Sequence, residues 1–398
     1  MMKKITIKFH IVWIIGIAVF LLWSAGTCIL APVEVNEYEN RPANLLPELR
    51  ITSFLDGTFQ DGTERALSDQ VLLSTEMKRN YNLFRSGIED RFLQSVLRTK
   101  PMRYIHLNDE ISVFGGTHLT HNPQDLDVIK AALNARRDNL NACAAAHPEL
   151  TFYLYFIERE RDINLETLEK VGAWEYLRNG LEIPTDQTGA FSMDSFETYS
   201  RYYYRTDHHW NCFGSYRGYQ EICGLLGIPQ EEQIPCGEAV LVQHGFFGSK
   251  SAALGADTFT EDFYAFRYPY PYMKITINGE SDADYGWQEG FLAGTEMPVK
   301  YGLFYGGDCG EVIFDTGRME RDNLLVIGDS FDNAILKLLA SHFHITCAVD
   351  LRAYEEDAGQ PFDLFEYTRD HGIDRVLVVG SMSFYCKPEF ELRNGVEG

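Results

Sequence analysis

The chain has 398 residues, which is enough for one large α/β domain or two smaller ones, and its 45% hydrophobic content is normal for a globular protein. It carries 35 basic and 58 acidic residues, so its formal net charge is −23. This balance argues against binding of bulk nucleic acid or of an anionic membrane surface, because both need a basic face. It also argues, more weakly, against a polyanionic substrate.

The N-terminus combines a basic tail with an apolar run. Residues 1–10 contain three lysines, and residues 11–31 are uncharged and largely apolar. At ~1.5 Å per residue, a helix of this run crosses the ~30 Å hydrocarbon layer of a bilayer. Lysines before the run and glutamates after it predict a cytoplasmic tail and an extracytoplasmic body, residues 32–398. A cleaved signal peptide is the alternative and would leave the body secreted, but the run is long for one and lacks a clear A-x-A site.

The clearest helix of the body begins at Leu126. Its predicted apolar face consists of Val128, Ile129, Ala132, Leu133 and Leu140. A near-continuous apolar strand follows over 150–157, of the kind found inside parallel sheets. An earlier stretch, 82–98, also has apolar residues at helical spacing and is predicted to be a helix.

Helices and strands continue to alternate towards the C-terminus. Residues 165–178 and 214–227 have helical patterns, and the tyrosine-rich residues 198–206 between them are typical of a strand. Residues 323–354 read as strand, turn, helix and strand, and residues 374–384 as a last buried strand. This alternation predicts a central parallel sheet covered by helices on both faces, with its site at the carboxyl ends of the strands.

Residues 236–318 interrupt the alternation. This segment is rich in glycine, aromatic residues and β formers, and it predicts an antiparallel or loop-rich insertion. Its "YPYPYM" run, which begins at Tyr268, has rings that suit stacking against sugars. Aromatic residues in a β-rich segment are more often simply packed, so both interpretations stay open.

The cysteines do not form a recognisable pattern. One of the eight, Cys28, lies in the apolar run, and the other seven are spread thinly along the body. An odd number without a C-x-x-C pair indicates neither a disulfide framework nor a zinc site. We expect most of them to be buried apolar residues, with one or two disulfides left open.

Ser330, in "LLVIGDSF", lies directly after a buried strand and before a predicted helix, where an open α/β sheet presents side chains to a ligand. Gly328 is expected to permit the tight turn. The backbone N–H groups of Ser330 and Phe331 would be unpaired donors suited to an oxyanion. Alternatively, Asp329 or Ser330 is only a helix N-cap, and this stretch alone does not separate the two interpretations.

A base for that serine is suggested by "YYYRTDHHWNCFG", residues 202–214. In an extended segment alternate residues share a side, so Asp207 and His209 would lie together while His208 points away. A carboxylate beside a histidine fixes its tautomer and orientation, as a general base requires. Trp210 is most simply a packing residue. A metal site is the alternative, but we expect none, since the other histidine pairs show no recognisable zinc spacing; these pairs are His118 with His121 and His342 with His344.

Together, "TDHHWN" and "GDSF" resemble the bacterial DHHW family, which is related to the alginate O-acetyltransferases and has a rearranged SGNH (GDSL-like) hydrolase fold. The resemblance extends to "YYYRTDHHWNCFGSYRGY", "GDSFDNAILKLLASHF", "VDLRAY", the apolar N-terminus, "NRPANLLP" and "FFGSKSAALG". It therefore covers most of the chain. It implies an α/β fold, an SGNH-hydrolase-like three-layer sandwich, carrying the β-rich insertion and preceded by one transmembrane helix.

The resemblance also implies roles for particular residues. Ser330 corresponds to the nucleophile, His209 to its base and Asp207 to the orienting carboxylate. Arg352, in "VDLRAY", is the counterpart of an arginine of the acetyltransferase site, unless it only forms an ion pair with Asp350 or a nearby acid. Phe331 and His208 are candidates for oxyanion or substrate contacts. The Gly and Asn blocks of ordinary GDSL hydrolases have no counterpart that we can place.

The function implied is that of an extracytoplasmic, membrane-anchored serine O-acetyltransferase or acetylesterase. It would act on a cell-surface or exported polysaccharide through an acetyl-serine, without a cofactor or a metal. The resemblance favours transfer and implies a membrane-bound O-acyltransferase partner that passes acetyl groups across the bilayer. The alternative is a non-catalytic protein that binds polysaccharide or scaffolds a polymer assembly or acetylation complex, because fold does not fix function.

Overall fold

The computed structural model describes residues 102–255, 259–281, 285–286, 288–294 and 297–393, together with 18–19, 23, 26, 32, 35–36, 41–47, 50, 53–54 and 58–70. Within these residues, no helix has both the length and the apolar composition that a membrane span requires. The predicted anchor over 11–31 falls almost entirely outside the described residues, and so does the predicted helix over 82–98. Both stay predictions.

Strands and helices follow one another along most of the described residues. The strands are β1 Val35–Asn36, β2 Arg41–Pro42, β3 Ile105–His106, β4 Ile111–Phe114, β5 His118–His121, β6 Thr151–Ile157, β7 Thr188–Phe191, β8 Ala239–Phe246, β9 Glu261–Phe266, β10 Lys274–Ile277, β11 Glu280–Ser281, β12 Glu311–Asp315, β13 Leu324–Gly328, β14 Ile345–Val349 and β15 Arg375–Ser381. The α-helices are α1 Thr58–Gln70, α2 Leu126–Ala146, α3 Ala173–Arg178, α4 Phe196–Tyr202, α5 Cys212–Leu225, α6 Ser249–Leu254, α7 Gln288–Leu292, α8 Tyr301–Tyr305, α9 Leu336–Ala340, α10 Tyr354–Ala358, α11 Leu364–His371 and α12 Met382–Cys386.

The chain divides into two compact units. The first comprises residues 1–99 and 249–259, and the second comprises residues 100–248 and 260–398. In the first unit, the carboxylate of Asp69 at the end of α1 accepts hydrogen bonds from the backbone and the side-chain amide of Asn44, at 2.9 and 2.8 Å. These bonds attach the approach segment to α1.

The second unit is built on an eight-stranded sheet with the order β11-β10-β12-β14-β13-β15-β6-β7. The strands from β14 to β7 are parallel, as the sequence predicts, but β12, β10 and β11 pair antiparallel at one side. The sheet is therefore mixed, and the prediction of a parallel sheet was only partly right. Part of the predicted insertion extends this sheet, while β8 and β9 form a separate antiparallel pair.

Both faces of the sheet are covered, because successive side chains of a strand point to opposite faces. On β6, Tyr153, Tyr155 and Ile157 pack into one apolar cluster, and Phe152, Leu154 and Phe156 pack into the other. The first cluster includes residues of α4, α5 and α9, and the second includes residues of α2, α11 and α12. This is the three-layer arrangement expected for an α/β domain.

Three local predictions differ from the structure. Val128 is 70% exposed, so the buried face of α2 lies one step round the helix from the predicted one. The predicted helix over 165–178 is confined to α3. Residues 198–202 of the strand predicted over 198–206 belong instead to the helix α4, because the side chain of Ser195 caps the backbone N–H of Thr198 at 3.2 Å. Here capping and the burial of α4 outweigh the β preference of tyrosine.

All seven described cysteines are free thiols. Burial raises the pKa of Cys143 to about 11 and the pKa of Cys212, Cys223 and Cys347 to about 12. A thiol that stays protonated is a poor nucleophile and a poor metal ligand. These cysteines are therefore packing residues, as the sequence indicates.

Candidate active site

Asp207 and His209 lie in a short loop whose two ends are hydrogen-bonded to each other. Tyr203 and Trp210 form an antiparallel bridge, and the backbone N–H of Tyr204 donates to the carbonyl of His209 at 3.2 Å. Within the loop, Oδ1 of Asp207 accepts from the backbone N–H of His209 at 3.0 Å and lies 2.7 Å from His209 Nδ1. The two side chains meet through this turn, and not through the extended strand that we expected. The acceptor oxygen assigns the proton to Nδ1, which leaves Nε2 free to accept one.

Ser330 lies two residues beyond β13, at the carboxyl edge of the parallel strands. Its Oγ is 2.7 Å from Nε2 of His209, and the side chain is only partly buried. With the proton on Nδ1, the Ser330 hydroxyl donates to Nε2. The structure thus brings Asp207, His209 and Ser330 into one hydrogen-bonded row, which has the geometry that lets an imidazole remove a hydroxyl proton.

A carboxylate from the hairpin strand β9 holds the loop in place. Glu261 accepts hydrogen bonds from the backbone N–H groups of Arg205 and Thr206, at 3.0 and 2.7 Å, and from the Thr206 hydroxyl at 2.7 Å. Gly248 packs against the same residues: a Cβ on it would lie 2.5 Å from the carbonyl carbon of Thr206. Sequence reasoning missed Glu261, because no local pattern links it to a loop so far away in the chain.

Aromatic rings enclose the imidazole of His209. Tyr301 of α8 stacks on it with a ring-centroid distance of 3.8 Å and an interplanar angle of 2°, and Phe331 lies 5.0 Å away. The ring of His208 also lies 3.8 Å from that of His209, so His208 does not point away as predicted. Tyr301 is buried, which raises the pKa of its hydroxyl and keeps it protonated. No pattern in the sequence indicated that Tyr301 packs against the candidate base.

Trp210 fixes the end of the loop against α5. Its indole is fully buried and lies edge-on to Phe191 and Phe331, at 5.8 and 5.6 Å. The ring occupies a notch above Gly218, where a Cβ would lie 2.5 Å from Cζ3 of the indole. Asn211 then caps α5 by accepting from the backbone N–H groups of its first turn. The packing role predicted for Trp210 agrees with these contacts.

The turn after β13 differs from the predicted helix start. Asp329 accepts from the backbone N–H of Phe331 at 3.2 Å and from the hydroxyl of Ser381 at 3.0 Å. A 3-10 turn follows, and α9 begins only at Leu336. The N–H of Phe331 is therefore not an unpaired donor. The N–H of Ser330, by contrast, has no acceptor among the described residues.

Gly328 is required for space and not for its backbone angle, since its φ is not positive. A Cβ there would lie 2.6 Å from the carbonyl oxygen of Val379 and would overlap the carboxyl group of Asp332. Burial, and next the charge of Asp329, raise the pKa of Asp332 well above its usual value. The carboxyl beneath the turn therefore holds its proton more tightly than an exposed aspartate does.

Arg352 forms the ion pairs that were the alternative to a role in the site. Its guanidinium binds the carboxylate of Asp350 through two nitrogens and lies 2.9 Å from that of Asp308. Burial opposes its charge, but these two carboxylates raise its pKa, so it remains a cation. The geometry places this cation after β14, next to the strand that leads to Ser330. Its predicted contribution to the site stays a prediction.

The loop also satisfies the first condition for a metal site. One ligand atom from each of Asp207, His208 and His209 lies within 4.8 Å of the others. Both ring nitrogens of His209 already have partners, namely Asp207 and Ser330. A cation bound there would have to displace those hydrogen bonds. Metal binding and the hydrogen-bonded row of Asp207, His209 and Ser330 are therefore alternative arrangements of the loop, and only the metal-bound arrangement would be sensitive to a chelator.

No family model matches the sequence, and no curated protein matches it either. Solved structures do resemble it. Bacillus cereus PatB1 superposes with a TM-score of 0.56 at 18% identity, over 74% of this chain and 100% of PatB1, in a structure with a sulfonyl adduct. A DHHW family protein from Eubacterium siraeum superposes with a TM-score of 0.51 at 19% identity, over 73% of this chain and 96% of that protein. The chain shares its fold with PatB1 and a DHHW family protein. The DHHW resemblance is thus confirmed at the level of the fold.

Proposed function

We propose that this chain is a serine-dependent O-acetyltransferase or acetylesterase that acts on a polysaccharide through an acetylated Ser330. The observation that carries the proposal is the hydrogen-bonded row, in which Asp207, His209 and Ser330 are joined by two contacts of 2.7 Å. A carboxylate, an imidazole and a hydroxyl in this order are the groups that activate a serine for acyl transfer.

In the first half-reaction, Nε2 of His209 takes the hydroxyl proton as Oγ of Ser330 attacks the acetyl carbonyl carbon. The carbonyl electron pair moves onto its oxygen, and the N–H of Ser330 is a donor for that oxyanion. When the intermediate collapses, the bond from the acetyl carbon to the donor's oxygen breaks. The departing oxygen takes the proton from His209, and Ser330 is left as an acetyl ester.

In the second half-reaction, His209 removes a proton from the acceptor as its oxygen attacks the acetyl carbon. The bond from that carbon to Oγ of Ser330 then breaks, and Oγ takes the proton from His209, which restores the free serine. A sugar hydroxyl as acceptor gives a transferase, and water gives an esterase. The sequence resemblance favours transfer and supports a membrane-bound O-acyltransferase as the acetyl supplier. The apolar run over 11–31 supports an extracytoplasmic location for this chemistry.

Nitrophenyl acetate tests the row directly, because it needs no sugar. We expect the full-length protein to release nitrophenol, and we expect Ser330→Ala and His209→Ala to lower kcat/KM by roughly 1,000-fold or more. His208→Ala is the matched control and should cost far less, since the row does not pass through His208. Near-normal turnover in either of the first two variants would refute the proposal. Equal losses from both histidines, together with inhibition by a chelator, would indicate a metal site instead.

A sulfonyl fluoride tests the nucleophile by a second route. PatB1, whose fold this chain shares, has been solved with a sulfonyl adduct. Sulfonyl fluorides react with activated serines, so we expect phenylmethylsulfonyl fluoride to add one sulfonyl group, which intact mass and peptide mapping should locate on Ser330. Ser330→Ala should remain unmodified. An unmodified wild-type chain that forms no acetyl-serine but binds oligosaccharide would favour the non-catalytic alternative.

A further inference from the structure

The loop that contains the candidate base also carries ligands for a divalent cation. One ligand atom from each of Asp207, His208 and His209 lies within 4.8 Å of the other two, and in the described part of the chain no further histidine, cysteine or carboxylate belongs to this group. A cation held by these three residues would complete its coordination with water, as in open zinc sites. Such a cation exchanges with solvent more readily than one enclosed by four protein ligands.

The distances within the group are close to those that Zn²⁺ needs. Two ligands of a tetrahedral Zn²⁺, each about 2.0–2.1 Å from the ion, lie about 3.3 Å apart. Oδ1 of Asp207 lies 2.7 Å from Nδ1 of His209 and 3.7 Å from Nδ1 of His208. These distances fall on either side of the required one, so small side-chain rotations bring both to it. The carboxylate has lone pairs enough to keep the backbone N–H of His209 as well, so the turn survives binding.

Solvent reaches the group through His208. The side chain of His208 is 32% exposed, whereas those of Asp207 and His209 are 5% and 7% exposed. A carboxylate in a chain of net charge −23 attracts cations in general. The two imidazoles then select among them, because nitrogen ligands suit Zn²⁺, Ni²⁺ and Cu²⁺, whereas Mg²⁺ and Ca²⁺ prefer oxygen.

A cation at this group blocks the base. A neutral imidazole has one acceptor nitrogen, and in the hydrogen-bonded row this nitrogen is Nε2 of His209, which faces Ser330. If the cation binds Nδ1, the proton held there moves to Nε2, and Nε2 then donates to Ser330 instead of accepting from it. If the cation binds Nε2, it takes the acceptor lone pair directly. Neither route releases a proton from His209, and both leave Ser330 without a base.

We propose that Asp207, His208 and His209 form an inhibitory site for Zn²⁺ or for a cation of similar ligand preference. The cation binds reversibly and is an inhibitor of the proposed reaction, not its cofactor. Binding depends only on the three side chains, while the inhibition rests on the proposed function. Removal of the cation by a chelator therefore raises activity, which is the opposite of what an enzyme that needs its metal shows.

The test follows nitrophenyl acetate hydrolysis by the full-length protein as free Zn²⁺ is raised in a buffer that does not bind metals. We expect Zn²⁺ to inhibit, excess EDTA to restore the rate, and Mg²⁺ at the same concentrations to have no effect. His208→Ala leaves the row in place, so its remaining activity can be followed. Its half-inhibiting Zn²⁺ concentration should be higher by about 10-fold or more, because one ligand is lost. His208→Gln, with Tm as a check on folding, should show the same change.

The matched control is His244→Ala. His244 also lies beside a carboxylate, 2.8 Å from Asp262, but it is outside the group. This change should leave the half-inhibiting Zn²⁺ concentration as it is in wild type. An active wild type that Zn²⁺ does not inhibit would overturn the proposal. So would equal inhibition of wild type and His208→Ala, or a loss of activity on addition of EDTA.

Zn²⁺ binding is measured separately, so that the cation site and the proposed reaction can fail independently. Calorimetric titration of Zn²⁺ into full-length Ser330→Ala should show one site that the double variant Ser330→Ala, His208→Ala lacks. An inactive wild type whose Ser330→Ala variant has this site would remove the proposed reaction and keep the cation site. An active wild type without the site would remove only the inference made here from the loop.

Discussion

The imidazole of His209 is fixed by contacts of two kinds. Asp207 sets its tautomer and its in-plane orientation, whereas the parallel ring of Tyr301 sets the tilt of its plane. Because Nε2 reaches Ser330 at the far side of the ring, a small tilt moves this atom away from the Oγ that it must deprotonate. Tyr301 is therefore a positioning residue for the proposed reaction.

We predict that Tyr301→Leu lowers kcat for nitrophenyl acetate by about 10- to 100-fold, while KM changes little, because the base remains but its plane is no longer held. Tyr301→Phe keeps the stacked ring and loses the hydroxyl, which makes a long contact to the carbonyl of Phe331, at 3.5 Å, and lies near the indole N–H of Trp210. It should retain most of the activity. Equal losses in the two variants would show that the hydroxyl, and not the stacking, is what matters.

At this scale the sequence identified the groups that could do chemistry but not the groups that hold them. Asp207, His209 and Ser330 stand out because their types and spacing match an activated serine, and the structure brings them together. Tyr301 and Glu261 carry no such mark. Their positions depend on the fold of the segment between the base and the serine, which no local pattern specifies.

The helix α5 directly follows the loop that contains Asp207 and His209, and it fixes the position of the end of that loop. The fully buried Trp210 lies in the notch above Gly218, so the notch sets how closely the loop approaches the helix. Any side chain at this position must push the indole outwards. The residue before the indole in sequence is His209, and the displacement therefore reaches the base.

We predict that Gly218→Ala destabilises the protein by about 1–3 kcal/mol and reduces esterase activity, because its Cβ overlaps the indole. Gly224→Ala is the matched control in the same helix. Nothing lies within 4 Å of a Cβ at Gly224, so this change should stabilise the protein slightly through helix propensity. Urea denaturation and nitrophenol release measure the two effects. If both variants lost stability equally, the notch would not be the cause.

The elements that the sequence predicted well are strands buried on both faces and one long amphipathic helix. The continuous apolar runs of β6, β13 and β15 and the long helix α2 were all identified within a few residues. The antiparallel character of β10 and β12 agrees with the insertion predicted over 236–318, but their addition to the central sheet was not predictable, because strands at the side of a sheet pair by tertiary contacts. The tyrosines of α4 misled for a similar reason: their β preference is weak beside a capped, buried helical turn.

For the domain as a whole, stability should depend on pH through His342. The Tyr219 hydroxyl accepts from the backbone N–H of Ile234 at 2.7 Å, so it donates to Nε2 of His342, also at 2.7 Å. This bond needs an unprotonated imidazole. Burial lowers the pKa of His342 from 6.5 to about 4; Glu232 opposes this with a smaller effect, and Arg318 and Arg321 lower the pKa further.

The sign of the effect follows from this shift. Between pH 6.5 and about 4 the unfolded chain binds a proton that the folded chain does not, so the stabilisation is complete above pH 6.5 and is lost as the pH falls towards 4. We predict that His342→Gln, which keeps an acceptor but does not titrate, loses less stability than wild type over this range. Urea midpoints at pH 7.5 and 4.5 give the comparison, and equal losses would exclude His342 as the titrating group.

The loop closed by Tyr203 and Trp210 contains both the base and its orienter within a few consecutive residues. In a serine enzyme whose three groups come from three distant segments, each pair must be aligned separately by the scaffold. Here the alignment of the base with its orienter is built into a short peptide, while the tilt of the imidazole and the distance from Nε2 to Oγ depend on the rest of the fold. To place such a pair beside a serine on another sheet edge, a designer would have to rebuild the stacking ring and the anchors of the loop, but not the contact between carboxylate and imidazole.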